Sequence, residues 1–458
     1  MRPGLTRELA PPPRRAPHRR FLPTPALPRD EPGLYPGEPM TCRRNLAAFL
    51  LVLAHLALLL AVAKVYRLEG RAFQIMMTLA TVALPIHYLL PFRLKLPGFL
   101  LASMVGLSLV FGTVTAAIVV TLGVGLILLS RLPISWNARV VAMAAVVAAM
   151  AAARAGLART PVPDVVWPIL GSMFMFRMIL YLYELKHAET SESFTDALAY
   201  FFLVPNVCFV HFPVVDYRTF RRGYFARDIH ETQRDGLRMM LRGTLHLLLY
   251  RLVYHELLIP MDQVRSVPSL LGFLSCNYLL YLRVSGQFHM ACGLLHLFGF
   301  SLPETHRHYL LATGFTDYWR RINIYWKDFM VRVVFNPVVF RLKRCGQGPA
   351  LAVATTVVFL VTWALHAYQS FWLRGTWGVS LPDALFWAIL GVLVLVNVQL
   401  DARTPRRAKP RAIDLSARPL AIRAAKTVAT FATIALLWSL WSSPSLSAWF
   451  SMLRRATG

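Results

Sequence analysis

The sequence predicts an all-α, polytopic integral membrane protein of roughly ten transmembrane helices, with re-entrant and interfacial helices among them. Three observations carry that expectation. Of the 458 residues, 56% are hydrophobic and only 16% are charged, where a soluble domain carries roughly a quarter charged. The mean hydropathy is +0.50. Apolar runs recur from Asn45 almost to the C-terminus with no soluble-looking block between them, so a single membrane domain over 45–453 is the simplest organisation.

Residues 1–44 precede that domain. They are crowded with proline and arginine and cannot bury enough apolar surface to offset chain entropy, so a disordered, cytoplasmic tail is expected. No short basic region followed by an apolar stretch and a small-residue cleavage site opens the chain, and Asn45–Tyr66 therefore reads as a retained first span. Further apolar stretches of about twenty residues follow at Ala72–Leu90, Phe99–Leu129 (one tilted span or a broken pair), Val140–Leu157, Val165–Leu185, Leu237–Ile259, Leu270–Phe300, Ala350–Leu373, Leu381–Leu400 and Thr427–Phe450.

The formal net charge of +27 does not point to nucleic acid, because the basic residues fall in short tracts between apolar spans. The tail, Arg218–Arg242, Arg320–Arg344 and Arg403–Lys426 fit the positive-inside rule and are expected on the cytoplasmic side. The five cysteines, Cys42, Cys208, Cys276, Cys292 and Cys345, are scattered and form no CxxC pair. They read as small hydrophobes.

Two stretches fit neither a clean span nor a loop. In Tyr200–Phe220, YFFLVPNVCFVHFPVVDYRTF, Pro205 and Pro213 interrupt an aromatic, apolar run. Broken backbone at membrane depth survives only under protein cover or beside water. The segment is either a re-entrant wall of a cavity or an ordinary interfacial loop. In Phe315–Arg344, Trp319, Ile322, Trp326, Phe329 and Val333 recur at three- and four-residue steps, with Arg320, Arg321, Lys327, Asp328 and Arg332 between them. That pattern predicts an interfacial helix whose arginines meet phosphates, of lipid or of an anionic cofactor such as coenzyme A. Asn323, beside the apolar stripe, needs a hydrogen-bond partner.

His366 lies in TTVVFLVTWALHAYQSFW, an otherwise uncharged span. An ionisable group there is costly, and it is either functional or bonded to a neighbouring helix. A neutral imidazole in that position can accept a proton. His289 and His296 could share a helix face and His246 and His255 bracket another span, yet no HExxH or similar ligand spacing occurs, so no metal is expected. GxSxG, P-loop and strand-to-helix GxGxxG patterns are lacking as well, which removes support for hydrolase and nucleotide-binding readings.

Taken in order, FFLVPNVCFVHFPVVDYRTF, YWRRINIYWKDF and WALHAYQSFW resemble three segments of the membrane-bound O-acyltransferase superfamily, which includes bacterial polysaccharide O-acetylases and D-alanine transfer proteins. The first is similar to the proline-marked re-entrant segment, the second to the tryptophan-arginine helix, and the third to the span bearing a near-invariant histidine, which falls on His366. Asn323 falls where sterol and diacylglycerol acyltransferases carry asparagine and bacterial members usually carry histidine. Ala364 and Leu365 precede His366, where the bacterial pattern favours a glycine beside the tryptophan.

The resemblance implies acyl transfer from a thioester, usually acyl-coenzyme A as a donor substrate, with no permanently bound cofactor. The acceptor would be a hydroxyl of a glycan or lipid, in a bacterial inner membrane. His366 would be the general base. Asn323 would orient His366 or the acceptor, or stabilise the developing oxyanion, and Arg320, Arg321 and Lys327 would hold cofactor phosphates. The alternative is a permease or flippase that uses the same cavity for a lipid or glycan; it is disfavoured by the shortage of paired charges within spans.

Overall fold

The computed structural model describes residues 45–186, 193–203, 215–403 and 417–458. The tail, the proline-marked centre of the expected re-entrant segment and most of the basic connection after Arg403 lie outside the described residues. Within them the regular structure is helical, apart from one isolated bridge between Tyr224 and Phe300. Ten helices are long and apolar enough to cross a membrane, and the chain is an all-α, multi-pass integral membrane protein.

The first six spans are α1 (Leu46–Val65), α2 (Arg71–Leu89), α3 (Phe92–Phe111), α4 (Thr113–Arg131), α5 (Trp136–Arg154) and α6 (Pro168–Leu185). The Asn45 side chain caps α1 by accepting from the Ala48 amide at 3.1 Å, the usual remedy for an orphan first-turn donor. Gly112, at φ +83°, joins α3 to α4 in a conformation that β-carbon-bearing residues rarely adopt. The long run Phe99–Leu129 is therefore a broken pair. Phe49, Leu56, Leu84, Phe99 and Leu126 fill the interior while Leu50, Leu58, Leu101 and Leu109 face outward, as expected where hydrocarbon is the solvent. Lys95 is buried in α3 and donates to the His87 and Tyr88 carbonyls at 2.6 and 3.2 Å, which end α2 without an intrahelical donor.

Two short helices, α7 (Phe194–Phe201) and α8 (Tyr217–Gly223), follow. Arg177 of α6 is fully buried and donates to the Tyr200 carbonyl at 2.7 Å, and the Tyr200 hydroxyl donates to the Val215 carbonyl at 2.6 Å. These bonds tie both helices to α6.

The next helix departs from the sequence expectation. Instead of a span at Leu237–Ile259, α9 covers Ile229–Leu252 and ends in a π-turn at Val253–Leu257. Its first ten residues carry Glu231, Arg234, Asp235 and Arg238, and its exposed leucines Leu241, Leu245 and Leu252 begin only afterwards. It is not among the ten apolar helices. The expected span Leu270–Phe300 is found as one of the ten, Val267–Leu297, interrupted by a turn that divides it into α10 (Val267–Leu279) and α11 (Leu282–Leu297). Nearly every residue of α11 is buried, and α9 packs along it through four glycines. A β-carbon at Gly236 would meet the Gly293 carbonyl at 2.7 Å, and one at Gly243 would meet the Gly286 carbonyl at 2.8 Å. Small residues let the two backbones touch.

The interfacial helix expected over Phe315–Arg344 is broken. It forms α12 (Phe315–Arg321), α13 (Ile324–Met330), a π-turn at Val331–Phe335 and α14 (Asn336–Arg341). Three long helices complete the membrane domain: α15 (Gln347–Arg374), α16 (Leu381–Arg403) and α17 (Ala417–Trp441). The expected last span, Thr427–Phe450, stops at Trp441, and a separate helix α18 (Leu446–Thr457) packs Met452 and Leu453 near Val264 and Phe273. Two main apolar cores result. The first joins α1–α4 to α11, and the second gathers α12, α13, α15, α16 and α17 around the site described next.

Candidate functional site

A cavity of about 730 Å³ opens inside the second core, and both His366 and Asn323 line it. His366 comes from α15. Its Nδ1 lies 2.8 Å from the Thr362 carbonyl one turn earlier. A carbonyl only accepts, so Nδ1 carries the hydrogen and Nε2 keeps a free lone pair. The ring is boxed by indoles, with centroids 4.6 Å from Trp387, 5.4 Å from Trp326 and 6.4 Å from Trp441.

Asp383, in the first turn of α16, organises half of that box. Its Oδ2 accepts from Trp363 Nε1 at 2.5 Å and its Oδ1 accepts from Trp441 Nε1 at 2.6 Å. The Asp383 amide donates to Ser380 Oγ at 3.2 Å, which anchors the carboxylate at the start of the helix. Trp326 and Trp387 differ: both Nε1 atoms are buried with no hydrogen-bond partner. An unmade buried donor costs about 1–3 kcal/mol, so two of them beside one imidazole require an explanation.

Asn323 sits at the break between α12 and α13. It adopts φ +39°, and its Oδ1 accepts from the Trp326 amide at 3.3 Å. Asparagine tolerates this left-handed conformation better than most residues. The break is held from outside the helices, where the Ile324 amide donates to the Thr305 carbonyl at 2.7 Å and the Arg307 amide donates to the Arg321 carbonyl at 2.9 Å. The partner that Asn323 needs is thus the amide of a tryptophan that touches His366.

The three expected phosphate ligands are not equivalent. Lys327 lines the cavity and pairs with Asp328 at 2.6 Å. Arg321 is committed to Asp317, Nε to Oδ1 at 2.7 Å, and Arg320 is exposed and is not part of the cavity lining. Only Lys327 of the three shares the cavity with His366.

An ion cluster supports the segment that carries these residues. Arg332 Nη1 lies 2.9 Å from Glu184 Oε1 and 3.2 Å from Asp216 Oδ1, while Glu184 Oε2 accepts from the Arg218 amide at 2.8 Å. Burial raises the Asp216 carboxyl, but the Arg332 guanidinium and two hydrogen bonds from Thr219 outweigh it and hold the group below the usual carboxylate range. The cluster joins α6 and α8 to the π-turn after α13.

Of the other histidines singled out in the sequence, His289 and His296 are buried, His246 is half-buried and His255 is exposed. His296 Nε2 lies 2.9 Å from both the amide and the carbonyl of Leu302. His246 and His289 are 5.4 Å apart between ring centroids. Among the described residues, no group of three or more His, Cys, Asp or Glu is placed to hold a metal ion. Asp383 and the indole box escaped the sequence reading, because an acid just after Ser380 looks like a helix-start residue. No model of a known protein family matches the chain, and no curated protein matches it either.

Proposed function

We propose that this protein is a membrane-embedded O-acyltransferase that moves an acyl group from a thioester, acyl-coenzyme A being the donor expected, to a hydroxyl of a glycan or lipid. The observation that carries the reading is His366: a neutral imidazole in a span, with its Nδ1 hydrogen committed to Thr362 and its Nε2 free on a cavity wall. An alcohol has a pKa far above neutrality and needs such a base within hydrogen-bond reach of its proton. Asn323 enters the same cavity, as does Lys327, the one cation of the three that could meet an anionic donor head there. The resemblance of the three sequence segments to membrane-bound O-acyltransferases supports the same chemistry, and with it a bacterial inner-membrane location.

The competing permease reading gains something from the fold, since Lys95, Arg177 and Glu184 are charged residues buried within spans. Lys95 is bonded to carbonyls and Arg177 to a backbone cap, which gives both structural duties. Purified protein in detergent, given labelled acyl-coenzyme A and a panel of glycan and lipid alcohols, separates the two readings. His366→Ala is expected to lower transfer by about 10² to 10⁴, a typical general-base contribution, with the protein still inserted and monodisperse. Asn323→Ala should cost less. Full transfer by His366→Ala removes the catalytic assignment, and no thioester cleavage with any acceptor favours transport.

A further inference from the structure

We infer that the cavity wall where α10 gives way to α11 seats the hydrocarbon chain of the acyl donor, and that the donor is a medium-chain acyl thioester rather than an acetyl one; the inference rests on the acyl-transfer reading. Leu280, Tyr281, Val284 and Phe288 line the cavity there. Every residue of α11 is buried except Arg283, which pairs with Glu69 at 2.8 Å, and Val284. Val284 thus keeps accessible surface on a helix that is otherwise closed, and Phe288 lies one turn on along the same face. Rings connect this wall to His366: Trp441 is 6.4 Å from the imidazole between centroids, Trp438 4.9 Å from Trp441, and Tyr281 5.5 Å from Trp438.

The wall has little hydrogen-bonding capacity to offer. Tyr281 is bonded to His306 Nε2 at 2.9 Å, Ser442 Oγ accepts from Asn277 at 2.7 Å, and the Tyr325 hydroxyl donates to the Pro303 carbonyl at 2.8 Å. A sugar placed here would lose water at its hydroxyls without replacement, whereas an alkyl chain gains from burial. The volume, about 730 Å³, is room for roughly two dozen waters at about 30 Å³ each, far more than a two-carbon acyl group occupies. The charge is placed to match. Tyr325 faces α11, its hydroxyl 3.7 Å from Cys292 Sγ, and Lys327, two residues on and so about 200° around α13, points away from α11. A donor whose anionic head meets Lys327 has its thioester beside Trp326 and His366 and its chain toward α11. In the transfer, the acceptor oxygen bonds to the carbonyl carbon as its proton passes to His366 Nε2. The C–S bond then breaks, and the leaving sulfur recovers that proton. The chain stays on the carbonyl carbon throughout, so one seat serves every step.

The test has two arms. A non-transferable thioether analogue of octanoyl-coenzyme A, with a diazirine near its chain end, is photolysed in the wild-type protein and the adduct located by mass spectrometry. The label should fall on Leu280–Phe288 or Trp438, and octanoyl-coenzyme A should displace it better than coenzyme A or 1-octanol does. Labelling confined to other segments overturns the assignment, and displacement by 1-octanol as readily as by octanoyl-coenzyme A gives the wall to a lipid alcohol and overturns it too. In turnover with acetyl-, butyryl-, hexanoyl- and octanoyl-coenzyme A, kcat/KM should rise about fourfold per methylene. Val284→Trp should lower the octanoyl-to-acetyl ratio by about tenfold or more. A wild-type series that is flat or falls with chain length overturns the inference. If the wall is labelled but wild-type protein transfers no chain to any acceptor, the chain seat stands and the acyl-transfer reading falls. If Val284→Trp does not fold, the wild-type label and chain series decide.

Discussion

Gly293→Ala should loosen the seam between α9 and α11 measurably, by an amount set by how closely the two backbones approach. A β-carbon at Gly293 would lie 2.5 Å from Met240 Cγ, 2.6 Å from the Gly236 carbonyl oxygen and 3.0 Å from the Met240 amide nitrogen. The methionine side chain can swing away. The other two atoms are backbone of the facing helix, so relief to an ordinary 3.4 Å contact requires about 0.8 Å of separation (3.4 − 2.6). A gap of 0.5–1 Å forfeits about a quarter to a half of each dispersion contact it opens, and overpacking of this kind costs about 1–3 kcal/mol. Replacing a helical glycine by alanine returns roughly 0.5–1 kcal/mol. Gly125→Ala is the control, because that position lies in α4 with nothing within 4 Å of its built β-carbon. It keeps the propensity gain and has no clash. Thermal unfolding of both variants in one detergent, followed by intrinsic fluorescence, should place Gly293→Ala a few degrees below Gly125→Ala. Equal midpoints, or the reverse order, would refute the argument that backbone contact sets this seam.

Asp383→Asn should release one of the two indoles, since an amide has a single acceptor oxygen and Trp363 and Trp441 need two; tryptophan emission should change and stability should fall by about 1–3 kcal/mol, whereas an unchanged midpoint would show that the carboxylate does not hold the box. The Asp216 carboxyl is depressed in the folded protein, so its contribution is complete above the unfolded value of about 3.9 and is lost as pH falls through the lower folded value. Melting midpoints taken from pH 5 downward should drop less steeply in Asp216→Asn than in wild type, and parallel curves would count against the Arg332 pairing. Cys345 is exposed at the end of the basic stretch before α15; with the other four cysteines replaced, a membrane-impermeant maleimide should label it only from the cytoplasmic side, and labelling from the opposite side would invert the topology.

Much of this architecture could be read from the chain, for a physical reason. A span must satisfy its own backbone and present apolar side chains for about twenty residues, and that signal is local. The helix α9 escaped because arginines and leucines interleave in Arg234–Leu252, and an averaged hydropathy does not tell a helix with one wet end from a uniformly apolar one. Asn323 was recognised as a polar residue needing a partner, yet the helix break was invisible. Trp319, Ile322, Trp326 and Phe329 keep helical spacing across it, and the bonds that fix it come from Thr305 and Arg307. His366 stood out as a lone ionisable group in an apolar run. The unequal fates of Arg320, Arg321 and Lys327 did not, because which of three neighbouring cations faces a cavity depends on where α12 ends. The satisfied and unsatisfied indoles are a tertiary property throughout: Trp363 and Trp441 find their acceptor on a third helix.

The place of His366 along α15 has an electrical consequence. It is nineteen residues after Gln347 and eight before Arg374, which at 1.5 Å per residue is about 28 Å from one end and about 12 Å from the other. Arg374, Gly378 and Ser380 are exposed and line the same cavity as the imidazole, so the cavity wall runs from His366 to the exposed nearer end. A conducting vestibule cannot support a voltage drop. With that vestibule filled by electrolyte, the transmembrane potential, worth about 2.3 kcal/mol per charge per 100 mV, is expected to fall across the longer remainder of α15, with His366 at the potential of the compartment at the Arg374 end. Under the proposed acyl transfer, a proton exchanged at His366 through that vestibule would do no work against the membrane field. Turnover in proteoliposomes should hold steady as a potassium diffusion potential is stepped through zero, and a rate that follows the voltage would place the insulating barrier between His366 and Arg374 instead.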